Sequence, residues 1–548
     1  DPRAQPSQPL RQERRVCVIV EREHRGIYSM AAKSADWEDA ARRHYRRQGM
    51  DQDRDSPSEE IPPAAAAAFV VDAFELLAKD RVIPRSAFAP GVAVGRDYEG
   101  LPIMRLPSFE HLAALLKAAF PERFVDPTEG RPEIAGLYLF TLLEACVDRS
   151  APDDDVAAVY STAVVAFDEL LTSLRAAETA VVVCRFVADL TTVGEETLDF
   201  GNIEVIPTPF KAELRRRTVR GAIKAAIPSA TSVAWHDEDF MGHRGATVVA
   251  RGNEVGNPFR IAGDVSARID RFLLLVCLAT AGTIRSRYEV SGGAERLGRL
   301  GASKRSFQGG GEDGLIVRTA VLDHPLIEGI DGLGELLDQA RIVPDGVLIT
   351  AFDMSLTMFV RSHAASNWTA QIVDLATALE AALLGSKSND AGPTLQLRMR
   401  ASALLWTPTD PASTIFEDVK HLYDLRSRLV HGSTLKVKDI RKVLGKISTV
   451  PVDAPFAVAA AFAVDRLGDI VRRSLLARIA LAAGADPPWP IGSEVSVEQL
   501  LSDDQSRAAW RDHIRHILDA VGCGSVMEQA IPAGDSLTSP ELGEFAGQ

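Results

Sequence analysis

The chain reads as a mainly α, multidomain protein: a helical N-terminal region, a β-rich middle domain and a C-terminal helical bundle. Three observations carry this. Apolar residues recur at steps of three and four in four segments between positions 64 and 177, the mark of amphipathic helices. Short Val-rich runs broken by Gly, Asn and Pro follow from 180 to 252, which is strand grammar. Long helical repeats then resume at Ala351.

Residues 1–60 are rich in Arg, Gln, Asp, Ser and Pro, with 16–20 (VCVIV) their main apolar run, a composition expected of a flexible extension. Residues 61–177 form a helical domain. Its segments AAAAAFVVDAFELLAKD, FEHLAALLKAAF, EIAGLYLFTLLEACV and VAAVYSTAVVAFDELLTSLRAA are divided by Pro and Gly clusters such as Pro90-Gly91. Residues 178–345 form the β-rich middle domain with inserted helices. Strands are expected over 180–190, 201–207, 231–236 and 246–252, a basic helix over 211–227, an apolar helix over 265–281 and a Gly- and Ser-rich loop over 292–314. Residues 346–485 supply about four long helices, closed by PPWP at 487–490, and 486–548 add a helix over 497–521 and a solvated tail.

With 548 residues the chain is long enough for several cores. Its 46% apolar and 25% charged content excludes wholesale disorder. A formal charge of -14 argues against a general basic coat for nucleic acid, so any RNA contact needs locally concentrated positive charge. Five scattered cysteines, with no CxxC, argue against a disulfide framework or zinc ribbon and for a reducing cytoplasm. The apolar run 272–284, bounded by Arg271 and Arg285, is too short to span a bilayer. The run at 16–20 is too short for a signal-peptide core.

The densest chemistry lies in FEDVKHLYDLRSRLVHG at 416–432. Ile415, Val419, Leu422, Arg426 and Leu429 recur at steps of four and three, which places Arg426 inside an apolar seam. A guanidinium there needs a carboxylate or a bound anion. Five residues later His431 precedes Gly432, a residue that commonly ends a helix. A cation and an imidazole therefore stand near one helix end.

The Arg-x4-His spacing, with RS at its start and VHG at its end, resembles the motif of HEPN domains, and within them the ApeA-like branch of bacterial anti-phage defence. Three further segments match in order: IVDLATALEAALLG at 372–385 is similar to the first long helix with its Leu-Glu pair, LRMRASALL at 397–405 to the second, and LGDIVRRSLLARIAL at 467–481 to the closing helix. The resemblance covers about the last quarter to third of the chain. It implies a metal-independent ribonuclease without cofactor, a homodimer that joins two motifs across one cleft, and defence by abortive infection in which upstream domains sense a phage-derived or other trigger. It also implies that Glu380 orients Arg426 through a salt bridge, with Ser427 beside it where many nuclease members carry Asn, Asp or His.

The residues support that chemistry in their own terms. RNA carries its nucleophile, the 2′-hydroxyl, so cleavage needs a proton-moving group and a cation for the phosphate oxygens. His431 suits the first role and Arg426 the second. A helix's carbonyl end favours a cation, which fits His431 to general-acid or phosphate-binding duty. Arg428, Lys436, Lys438, Arg441 and Lys442 lie in a stretch with eight basic residues against two acids, a path for RNA phosphates or else a solvated face. Without the resemblance, Arg426 with Glu380 reads first as a structural ion pair. A bundle that only dimerises or binds nucleotides, and an active site in the middle domain, remain the rival readings. HDEDFMGH at 236–243 matches no metal-ligand spacing, GGGEDG at 309–314 no phosphate-binding turn, and the Arg215–217 run reads as a surface helix. Cys146, Cys184 and Cys277 read as core fillers.

Overall fold

The computed structural model describes residues 61–79, 102–121, 138–139, 142–143, 145–146, 156–175, 179–209, 212–227, 245–254, 258–293 without 283, 303–306, 319–341, 347, 349–365, 367–384, 392–431, 436–484 and 497–528. The expected strand at 231–236 and the HDEDFMGH and GGGEDG stretches lie outside them. No helix among the described residues is long and apolar enough to cross a membrane.

Helices α1 (Pro63–Lys79), α2 (Pro107–Ala119) and α3 (Val156–Arg175) open the fold. Their buried residues, among them Phe69, Leu112, Phe167 and Leu170, close into a core of their own that also takes Leu139, Leu142 and Cys146. The helical period of this region is therefore answered within the region.

The middle of the chain builds a six-stranded antiparallel sheet in the order β3-β4-β5-β1-β6-β7. Its strands are β1 (Thr179–Ala188), β3 (Leu198–Asp199), β4 (Ile203–Thr208), β5 (Gly245–Glu254), β6 (Arg285–Gly293) and β7 (Ser303–Ser306). Short β2 (Leu190–Thr192) pairs in parallel with β8 (Ala320–Leu322) beside it. β1 is central, and its Val-rich run is continuous because both faces are covered. Val181, Val183 and Val187 point into one core, Val182, Cys184 and Phe186 into the other, with the period of two that a strand imposes. Helix α4 (Ala212–Ala226) covers the second face through Val219 and Ile223. Helix α5 (Pro258–Thr280) covers the first, and starts seven residues earlier than expected, with Pro258 at its first position.

Strands β6 and β7 are two of those that depart from expectation. β6 carries Arg285, Arg287 and Glu289 among its residues and so lacks the apolar run that marks a strand, and β7 forms inside the stretch read as a loop by pairing Ser306 with Tyr288. The charges on β6 are answered in place. Arg185 of β1 donates to Glu289 at 2.9 Å, and Arg285 to Asp189 at 2.7 Å.

The remaining helices are α6 (His324–Ala340), α7 (Ala351–Ala364), α8 (Trp368–Leu383), α9 (Pro393–Leu405), α10 (Ala412–Val430), α11 (Val437–Leu444), α12 (Phe456–Ala482), α13 (Val497–Ser502), α14 (Asp504–Ala520) and α15 (Ser525–Glu528). The single helix expected over 497–521 is thus two, parted at Asp503, whose carboxylate caps α14 by accepting from the Ser506 N–H at 2.7 Å. Helix α12 is the axis. It packs on α7, α8, α9, α10, α11 and α14, and also on α5 and α6. One apolar core consequently runs from Val181 to Met527, across the expected boundary at 345.

α12 buries four arginines along its length, three of them in a closed ion network. Arg466 donates to Asp410 at 2.8 Å and to Asp418 at 2.8 Å. Arg473 reaches Asp469 at 2.9 Å, also pairs with Asp410, and donates to the Leu405 carbonyl at 3.0 Å. Arg472 donates to Asp469 and to the Leu278 carbonyl at the end of α5. Burial alone would raise the Asp469 carboxyl, but Arg473 and Arg472 outweigh it and hold the group below the usual carboxylate range.

Candidate functional site

The motif helix α10 buries Ile415, Asp418, Val419, Leu422 and Leu425. Arg426, expected inside the apolar seam, is not among these buried residues. With 3.6 residues per turn, the inward position after Leu422 falls between 425 and 426. Apolar Leu425 takes it, and Arg426 sits at the flank, with 23% of its side chain exposed.

From that flank Arg426 faces α8. Its Nη2 lies 3.8 Å from Oε2 of Glu380, which is 30% exposed. That separation is an electrostatic contact and too long for a hydrogen bond. Tyr423, three residues earlier on the same face of α10, donates its hydroxyl to the other carboxylate oxygen of Glu380 at 3.0 Å. The Arg426 guanidinium carbon stands 5.7 Å from the Tyr423 ring centroid, within cation–π range. Burial first, and then the Glu380 charge, push the Tyr423 hydroxyl above its ordinary value. Arg426 makes no hydrogen bond to any described residue, and its Nε is shut off from solvent without a partner.

The α8 end that presents Glu380 is held from behind. Arg478 of α12 donates to the carbonyls of Ala381 at 2.8 Å and Ala382 at 2.9 Å, and Arg400 of α9 to that of Leu383 at 2.5 Å. These are carbonyls that a helix end leaves without an internal partner. Arg400 also donates to Glu498 of α13 at 2.8 Å, so the C-terminal helices contribute to the clamp.

His431 is exposed at the C-cap of α10, where its backbone N–H donates to the Ser427 carbonyl at 3.1 Å. The side chains of Arg426 and His431 leave the helix about 7.5 Å apart along its axis and about 140° apart around it, from five residues at 1.5 Å and 100° each. Beyond His431 the chain re-enters the described region at Lys436 and forms α11, which turns Ile440, Val443 and Leu444 inward and leaves Lys436, Lys438, Arg441 and Lys442 exposed. None of these four makes an ion pair among the described residues, whereas Arg428 pairs with Asp424 at 3.2 Å. The arm is tied back to α10 where Ser448 donates its N–H at 2.8 Å and its hydroxyl at 2.5 Å to Asp418.

The structure therefore brings Arg426 and Glu380 together, sets His431 at the same helix end, and presents the basic residues on the arm that follows. Sequence reasoning missed Tyr423; its place three residues before Arg426 was the available signal. It missed the clamping arginines too, whose partners are backbone carbonyls. Among the described residues no group of three or more His, Cys, Asp or Glu side chains is placed to hold a metal ion. The chain matches no protein-family model, no curated protein and no solved structure.

Proposed function

We propose that this chain is a metal-independent endoribonuclease of the ApeA-like HEPN type, acting in anti-phage defence by abortive infection. Arg426 binds the scissile phosphate while the RNA's own 2′-hydroxyl attacks phosphorus. The bond from phosphorus to the 5′-oxygen breaks, the leaving oxygen takes a proton from His431, and the 2′ proton passes to solvent. Two copies joined through the helical bundle would bring two such motifs to one strand.

The observation that carries this reading is the state of Arg426. It is a largely buried guanidinium with no hydrogen bond among the described residues, 3.8 Å from its carboxylate neighbour. A cation left in that condition is suited to an anion that arrives, and its planar fork matches two phosphate oxygens. The exposed cations of α11 supply the locally concentrated charge that an acidic chain needs in order to hold RNA.

The test is RNA cleavage in EDTA by the parent chain, Arg426→Ala and His431→Ala. Cleavage by the parent, reduced by about 10²-fold or more in both variants, is the expected result. RNA left intact by all three under every condition points to a binding module. Cleavage indifferent to both substitutions places the chemistry elsewhere in the chain.

A further inference from the structure

We infer that Tyr423 is a positioning residue that keeps Glu380 from closing on Arg426, leaving the guanidinium open to a phosphate; the inference rests on the reading of Arg426 as a phosphate-binding group. An arginine and a carboxylate that meet without restraint favour a two-bond fork at about 2.7–2.9 Å. Here the closest approach is 3.8 Å. The Tyr423 hydroxyl supplies the restraint, because it occupies Oε1 of Glu380 at 3.0 Å and leaves only Oε2 toward Arg426.

Neither end of the arrangement is free to slide. The α8 terminus is fixed by Arg478 on the carbonyls of Ala381 and Ala382 and by Arg400 on that of Leu383. Tyr423 and Arg426 are one turn apart on α10, so the ring that carries the hydroxyl also lies beside the guanidinium, 5.7 Å away. Glu380 thus lends Arg426 a nearby negative charge without using its hydrogen-bond donors. Without the hydroxyl, the freed Oε1 of this half-buried carboxylate lies beside a charged donor, Arg426, whose Nη2 is already 3.8 Å from Oε2. The closed pair would then compete with the incoming phosphate for the same fork.

The experiment reads the openness of Arg426 directly, by the rate at which phenylglyoxal labels each arginine in the folded full-length chain, mapped by peptide mass spectrometry. In the parent, Arg426 labels while buried Arg466 and Arg473 stay protected. Tyr423→Phe keeps the ring and removes the hydroxyl, and is expected to slow Arg426 labelling about tenfold, equivalent to about 1.4 kcal/mol. Adding Glu380→Gln removes the capturing charge and restores the rate to that of Glu380→Gln alone. A merely structural tyrosine would give no such rescue.

The binding constant for a labelled RNA oligonucleotide, measured on the same three variants, is expected to follow the same pattern. Unchanged labelling in Tyr423→Phe, or a double variant as slow as Tyr423→Phe, overturns the inference. Labelling that follows the expected pattern while no form of the chain binds RNA overturns the nuclease reading and leaves the role of Tyr423 standing.

Discussion

Arg466 on α12 and Arg426 on α10 each face a carboxylate on a neighbouring helix, Asp418 at 2.8 Å in the first case and Glu380 at 3.8 Å in the second. Arg466 is 2% exposed and shares its network with Arg472 and Arg473 against Asp410, Asp418 and Asp469, three cations to three anions. Arg426 keeps a loose ion contact with Glu380, the Tyr423 ring 5.7 Å away, and an Nε shut off from solvent without a hydrogen-bond partner. Burial of charge is tolerable when each cation has a carboxylate at hydrogen-bond distance, and Arg466, Arg472 and Arg473 of the α12 network meet that condition. Arg426 does not meet it, and the shortfall is what a phosphate would fill. The two sites touch the same motif helix, so the first holds in place what the second uses.

The largest test of this contrast is stability. Arg466→Met leaves buried Asp418 without a cation and Asp410 with Arg473 alone, and is expected to cost about 3–5 kcal/mol in urea unfolding, while Arg426→Met costs under about 1 kcal/mol because its contact is long and partly exposed. Equal losses would erase the distinction.

Acid sharpens it next. Asp469 is held below its ordinary value when folded, so its stabilising contribution is full above the unfolded value and is lost as pH falls through the folded one. Asp469→Asn should flatten the acid limb of the stability curve below about pH 4.

RNA affinity probes the open site. Lys438→Glu and Lys442→Glu are each expected to weaken oligonucleotide binding several-fold and to reduce the slope of log K against log salt by about 0.7 for each phosphate that the variant no longer neutralises. The smallest effect belongs to Arg428→Ala. Its exposed pair with Asp424 contributes about 0–0.5 kcal/mol, and its removal should leave the urea midpoint within error.

What the sequence disclosed follows from the range of each interaction. The helices beginning at Pro63 and Ala351 were legible because a helix's apolar period is local, and β1 because Val181 to Val183 form a continuous run. β6 was not, since its Arg285 and Glu289 become compatible with burial only through Asp189 and Arg185 on strand β1 and the turn after it, about a hundred positions away. The ion network stayed hidden for the same reason. RLGDIVRRSLLAR reads as a closing helix, and nothing local says that Asp410 and Asp418 await its arginines. At the candidate site, Arg426, Glu380 and His431 were named from resemblance and spacing. The placement of Arg426 was read one position too deep, because Leu425 competes for the inward slot.

If Arg426 and His431 act as proposed, the nucleophile is the 2′-hydroxyl beside the scissile phosphodiester. The most direct measurement of this is the chemistry of the ends left on an RNA incubated with the full chain in EDTA, beside the same RNA carrying 2′-deoxy sugars. The expected result is 2′,3′-cyclic phosphate and 5′-hydroxyl ends on the first and no cuts in the second. Cuts in the deoxy strand, or 3′-hydroxyl ends, would contradict it.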